Sequence, residues 1–250
     1  MANDISTLQF SWSSFELYEQ CPFKFYQKYI VGKTEPTNIF ALYGCAFHTL
    51  LDHLYSTEKF NSKYAYAIWD KMLQKEYTLK YKEKQYSEIT QDQVDKIKYL
   101  GFKHIKNFFE LAISEGLLKP PMFTEQTVKG NYKTHKLVCK IDLGLVTKYG
   151  KTLLDWKTGE ADKKHFYQLV LYSVLAEKKL GEKIEAIAPV YIKSKQIAYR
   201  QIDSNLKLEV SNYLSKLYQT IISDKIFAPK VNKYCKNCYL HNLKICSMKF

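Results

Sequence analysis

Cys139-Lys140-Ile141-Asp142-Leu143 and, a short way downstream, Leu153-Leu154-Asp155-Trp156-Lys157 are the two stretches on which the fold turns. Side chains of a strand alternate between the faces of a sheet. In the first stretch Cys139, Ile141 and Leu143 can face a core while Lys140 and Asp142 point the other way. In the second, Leu153, Asp155 and Lys157 share one face, and Leu154 and Trp156 share the other. Paired as a hairpin, the two strands let Asp142 and Asp155 converge with Lys157 beside Asp155.

The same alternation extends on both sides. Residues 123–129, 136–148 and 151–157 read as strands, with turns near Gly130-Asn131 and Tyr149-Gly150. A helix over 162–179, a second strand pair over 184–193 and 196–202, and a helix over 206–223 follow. Upstream the period is helical. Ser13-Ser14-Phe15-Glu16 reads as a capping box that starts a helix just before Phe15, and Pro22 can open a second short helix through Tyr29. Residues 41–55 carry Phe47, Leu50, Leu51 and Leu54 on one stripe; 63–84 and 91–116 are longer helices, closed by Pro120-Pro121. The expected class is α/β: a small mixed sheet flanked by helices, with a helical insertion ahead of it. One domain is expected, divided into N-terminal helices (1–56), insertion (57–121), core (122–229) and cysteine tail (230–250).

Composition narrows the partners. The 250-residue chain carries a formal charge of +13, from 38 Lys+Arg against 25 Asp+Glu, which favours nucleic acid or an anionic membrane surface. No apolar run approaches a spanning helix, and residues 1–10 are neither basic nor long enough for a signal peptide, so a cytoplasmic protein without membrane attachment is expected. The 46% apolar content supports a core rather than disorder. Tyrosine is abundant at 21 residues; rings interleaved with lysines suit stacking on unpaired bases, although most rings in a fold serve its core.

Two clusters carry chemistry. Phosphodiester hydrolysis uses a divalent cation to polarise the phosphate and activate water. Mg²⁺ and Mn²⁺ take carboxylate oxygens, as Asp142 and Asp155 offer, and an ammonium such as that of Lys157 can orient water and stabilise developing charge. Gln168 and Tyr172 project from one face of the next helix, and His48 offers an imidazole to a metal. The second cluster is Cys235-x2-Cys238-x7-Cys246. A fourth thiolate from Cys21 would complete a [4Fe–4S] set, whereas His241 would complete a local zinc site. Six cysteines without an export signal indicate a reducing compartment; Cys45 and Cys139 read as buried small apolar residues.

Gly44-x3-His48, Ile141-Asp142, Asp155-Trp156-Lys157-Thr158-Gly159 and Gln168-x3-Tyr172 occur in the order seen in RecB-like nucleases, which the chain resembles. These belong to the PD-(D/E)XK superfamily, whose restriction-endonuclease-like core is the fold implied. Ser11-Trp12-Ser13-Ser14-Phe15 and Cys21-Pro22-Phe23-Lys24-Phe25-Tyr26 are similar to the N-terminal signature of its iron–sulfur members, the CRISPR-adaptation exonucleases and AddB-type recombination nucleases. The resemblance spans nearly the whole chain except residues 58–122, which carry no motif. It implies that His48, Asp142, Asp155 and the Trp156 carbonyl bind Mg²⁺ or Mn²⁺ and that Lys157 assists water. Gln168 and Tyr172 would position DNA or the catalytic groups. Cys21, Cys235, Cys238 and Cys246 would hold a [4Fe–4S] cluster as a structural staple, with zinc as the alternative. Cys139 stands where many members have Gly and Ile141 where the superfamily has Pro; the last cysteine spacing is x7 rather than x5.

The expected activity is a metal-dependent DNA exonuclease acting on single strands or free ends. Repair, recombination, phage replication and CRISPR adaptation are the processes implied, with helicase or adaptation proteins as partners and an oligomer allowed. Gly150-Lys151-Thr152 joins two strands rather than a strand and a helix, so it reads as a turn and not a phosphate-binding loop; any unwinding motor belongs to a partner. The competing readings are a module that binds DNA ends with little cleavage, and a zinc-stabilised RNA-binding protein.

Overall fold

The computed structural model describes residues 5–33, 35–36, 38–82, 89–132, 135–181 and 183–248. The chain forms two compact units. One comprises residues 37–128 and 140–207; the other comprises 1–36, 129–139 and 208–250.

The strands are β1 (Phe123–Tyr132), β2 (His135–Thr147), β3 (Gly150–Lys157), β4 (Ala186–Tyr191), β5 (Gln196–Ile197) and β6 (Arg200–Gln201). Their order in the sheet is β1-β2-β3-β4-β5, with β6 also paired to β4, and all but residues 129–132 of β1 and 135–139 of β2 belong to the larger unit. β2 and β3 are antiparallel in the register Leu143↔Leu154 to Thr147↔Gly150, and β3 and β4 are parallel. The expected mixed sheet is therefore present. Gly150 closes the hairpin at φ +87°, a conformation glycine adopts without steric cost.

Alternation assigns the two faces. Leu143, Leu145, Leu154, Trp156, Ala188, Val190 and Ile192 join the core formed with α3 (Ile39–Ser56), α4 (Ser62–Lys82) and α5 (Gln91–Ser114). Trp156 stacks on Tyr55 at 5.8 Å and meets the Phe108 edge at 5.6 Å. α6 (Lys164–Leu180) packs against β3 and β4, so Leu153 and Ile187 are buried as well. A strand covered on both faces reads as a continuous apolar run, as Ala186–Tyr191 does, every residue of it buried.

The smaller unit contains α1 (Trp12–Gln20), α2 (Pro22–Phe25), a π-helical turn (Tyr26–Ile30), most of α7 (Ser204–Ser223) and α8 (Tyr239–Asn242). Its centre is aromatic: Phe10 stacks on Phe15 at 5.2 Å, and Phe25 meets Tyr18 edge-on at 5.5 Å. The tail is tied to α1 by Lys230 and Asn232, which donate to the carbonyls of Glu19 and Gln20 at 2.9 Å each.

Several boundaries differ from expectation. The first capping box is Ser11 with Ser14, not Ser13 with Glu16: the Ser14 hydroxyl accepts from the Ser11 N–H at 3.0 Å, doing the work expected of a glutamate. Pro22 starts a helix as expected, but the turn widens to π geometry from Tyr26. Gly130-Asn131 is strand rather than turn, and residues 133–134 lie outside those described, as do 83–84 at the end of the fourth helix. The strand expected over 196–202 splits into β5 and β6. Cys45 is exposed on α3, because its neighbours Leu42, Tyr43, Ala46 and Phe47 occupy the core stripe; Cys139 is buried as expected.

Candidate active site

The β2–β3 ladder ends at Leu143↔Leu154, and one step further the register sets Asp142 opposite Asp155. There the backbone bond is replaced by a side-chain one: the Trp156 N–H donates to Asp142 Oδ2 at 2.8 Å. Both carboxylates are nearly enclosed, at 8% and 4% exposure. Lys157 Nζ lies 2.6 Å from Asp155 Oδ2 and donates to Gln168 Oε1 at 2.8 Å. Gln168 Nε2 in turn donates to Tyr172 Oη at 3.1 Å and lies 3.4 Å from Asp155 Oδ1. The i, i+4 spacing on α6 thus places Gln168 and Tyr172 over the acidic strand pair.

His48 on α3 brings Nδ1 to 3.3 Å from Asp142 Oδ2. Among the described residues, the group able to offer three ligand atoms within 4.8 Å of one another is His48, Glu125 and Asp142. Sequence reading missed Glu125. It lies on β1, a strand without any recognised motif, and holds φ +48°, which no periodicity signals. Lys140, the β2 residue read only as facing away from the core, forms an ion pair with it. Thr124 beside it donates to Asp52 Oδ1 at 2.8 Å and to the Asp142 carbonyl at 3.3 Å, fixing the strand against the site.

The sequence thus anticipates His48, Asp142, Asp155, Lys157, Gln168 and Tyr172 as one cluster, and these residues meet. Trp156 contacts Asp142 through its N–H. Asp155 stands outside the three-ligand group and is engaged by Lys157.

The electrostatics are those of a tightly packed acidic cluster sharing one imidazole and one ammonium. Burial disfavours the imidazolium of His48, but Asp142 beside it, with Asp155 and Glu125, raises its pKa to about 9. Burial pushes Asp142 up, yet His48, the Trp156 N–H and Lys157 hold it below the usual carboxylate range. Burial raises Asp155 to about 6 despite Lys157, with repulsion from Asp142 adding to the shift. Burial likewise raises Glu125 against the pull of Lys140. Two carboxylates, an imidazole and a further buried carboxylate are a donor set suited to a hard divalent cation.

In the smaller unit, Cys21, Cys235, Cys238 and Cys246 all line one cavity, together with His241. Cys21 reaches it because Pro22 ends α1 there, and the Cys235-to-Cys238 turn closes with a Cys238 N–H bond to the Cys235 carbonyl at 3.1 Å. The Asn232 N–H points at Cys235 Sγ at 3.3 Å.

None of the curated proteins matches the chain. Among solved structures, a protein described as "Putative exonuclease" from Eubacterium rectale is 14% identical with a TM-score of 0.52, covering 96% of this chain and 90% of that one. A second, SSO0001, is 16% identical with a TM-score of 0.33, covering 95% and 94%. Among the described residues no helix is long and apolar enough to cross a membrane. Residues 9–243 match the family model of the PD-(D/E)XK nuclease superfamily, and with that match over most of its length the chain belongs to this superfamily.

Proposed function

We propose that this nuclease is a divalent-metal-dependent DNA exonuclease acting on single strands or free ends. The observation that carries the reading is the convergence of Asp142, Asp155 and Lys157 on one sheet face, with His48 and Glu125 alongside. His48, Glu125, Asp142 and Asp155 would hold Mg²⁺ or Mn²⁺, which when bound polarises the phosphate and lowers the pKa of water. Lys157, which donates to Gln168, would orient the attacking water and stabilise charge on the phosphate oxygens. Tyr172 holds Gln168 in turn. The formal charge of +13 supports a polyanionic substrate.

The cysteine cavity supports a [4Fe–4S] cluster over zinc, since Cys21 lines it with the three tail cysteines and a local zinc site would not need Cys21. Its role in this proposal is to join the two ends of the chain within one unit.

End-labelled single-stranded and duplex DNA, incubated with purified protein and Mn²⁺ or Mg²⁺, test the activity. Stepwise loss of terminal nucleotides is expected, abolished by Asp155→Ala and by Lys157→Ala. Equal digestion by those variants would defeat the assignment; tight DNA binding without cleavage would return the end-binding module instead.

A further inference from the structure

Next to the acidic cluster the larger unit carries an open depression of about 560 Å³, lined by Asp162, Lys163, Phe166, Tyr191, Gln196 and Ile197 among others. That volume falls within the range of small-ligand clefts, about 300–1,000 Å³. Its position follows from strand register. Tyr191 pairs with Lys157 across the parallel β3–β4 ladder, so the two occupy neighbouring places on the face that carries Asp155. Adjacent strands are about 4.8 Å apart, which sets the depression one short step from Lys157.

Its chemistry is that of a flat, polar-edged ligand. Phe166 is half-buried, with Arg200 at 6.0 Å from its ring centroid. Tyr191 Oη lies 3.1 Å from His165 Nδ1, which fixes the second ring. Asp162 holds a carboxylate at the edge, anchored by the Lys164 N–H at 2.8 Å, and Gln196 adds an amide. The exocyclic amine of a base can donate to Asp162, while Lys163 at the rim suits the phosphate that follows the base. Tyr191 is buried beneath the depression, and the half-buried Phe166 is the ring open to stacking. A stacking ring with carboxylate and amide at the rim is the means by which proteins hold splayed-out single-stranded bases.

We infer that this depression receives one unpaired nucleobase of the strand being cut, adjacent to the scissile phosphate, stacked against Phe166. The inference rests on reading Asp142, Asp155 and Lys157 as the nuclease centre. It makes a single-stranded or frayed nucleotide a requirement for cleavage, since a paired base cannot enter.

Two measurements separate this idea from that reading. In EDTA, oligonucleotides carrying 2-aminopurine at successive positions are bound by wild-type protein and by Phe166→Ala. Quenching confined to one position is expected in the wild type, lost in Phe166→Ala and restored in Phe166→Trp. In Mn²⁺, cleavage of single strands by Phe166→Ala is expected to fall roughly tenfold, mainly in KM, in line with the loss of one stacked base. Replacing the base at the quenched position by an abasic site should cost the wild type a similar factor and Phe166→Ala nothing. Unchanged quenching and cleavage in Phe166→Ala overturn the base site while leaving the nuclease intact. Position-specific quenching in a protein that cuts no DNA with any divalent ion keeps the base site and defeats the nuclease.

Discussion

Asp142 accepts the backbone N–H of Trp156 at 2.8 Å, at the point where the β2–β3 ladder stops. The carboxylate is thereby positioned by the sheet itself rather than by a flexible partner, and its remaining lone pairs face His48 and Glu125. Asp142→Asn keeps an oxygen for that N–H but removes the charge. The fold should persist, with a Tm in EDTA below that of the wild type at neutral pH, because the charge that pairs with His48 is gone. Nuclease activity should fall at least a hundredfold, as read by digestion of labelled DNA. A variant that keeps a tenth of the activity would remove Asp142 from the proposed chemistry.

Glu125 holds φ +48°, a region that costs a non-glycine residue on the order of 1–3 kcal/mol. Such strain is retained where a side chain must be aimed. Glu125→Gln should weaken Mn²⁺ binding at least tenfold by calorimetry. Glu125→Gly should bind as poorly yet melt higher than Glu125→Gln, since glycine adopts this backbone freely. Equal Mn²⁺ affinity in wild type and Glu125→Gln would exclude the residue from the ion's ligands.

The contrast between Asp142 and Glu125 shows what the chain's pattern does and does not disclose. Asp142, Asp155 and Lys157 were legible because strand alternation and a short hairpin determine both face and register. Gln168 and Tyr172 were legible because helical spacing aligns them. Glu125 was not, because its aim depends on a backbone conformation outside any period and on Lys140 across the sheet. The same holds for Ser11, whose cap is closed by a serine where a glutamate was expected, and for Cys45, whose helix turns it outward.

Gly101 belongs to the same class. It lies inside α5, where glycine costs about 1 kcal/mol relative to alanine. The reason is Trp69: a Cβ at Gly101 would lie 2.1 Å from the indole, which is fully buried and donates to the Lys98 carbonyl at 3.0 Å. Gly101→Ala should therefore destabilise by about 1–3 kcal/mol despite its better helix propensity. That is a fall of roughly 2–12 °C in Tm at this chain length. A rise in Tm would mean that the α4–α5 contact yields readily.

The cysteine cavity predicts a division among the cysteines. Cys21→Ser and Cys238→Ser should each lose bound iron and its visible absorption and melt lower, because both line the cavity. Cys45→Ser, exposed on α3, should change neither. Stoichiometric zinc in anaerobically purified wild type, without iron or sulfide, would replace the cluster with the zinc alternative.

Without a cation, the acidic cluster should make the protein less stable as pH rises. His48 is raised from 6.5 to about 9, so its contribution is fully present below pH 6.5 and is lost as pH climbs through 9. Asp155 is raised from 3.8 to about 6; its protonated form is the favoured one, and that contribution disappears as pH rises through 6. Asp142, held low, opposes this trend only in acid, below its ordinary value of 3.8. The Tm in EDTA should therefore decline from pH 5 to pH 9. A cation needs His48 neutral and Asp155 ionised, so the Tm gained on adding Mg²⁺ should grow over the same interval. Scanning fluorimetry in paired EDTA and Mg²⁺ series measures both slopes. His48→Gln should flatten the decline between pH 6.5 and 9 while leaving the segment near pH 6, which belongs to Asp155. An EDTA curve that rises with pH, or a Mg²⁺ gain that stays constant across it, would rule out this cluster as the cation's site.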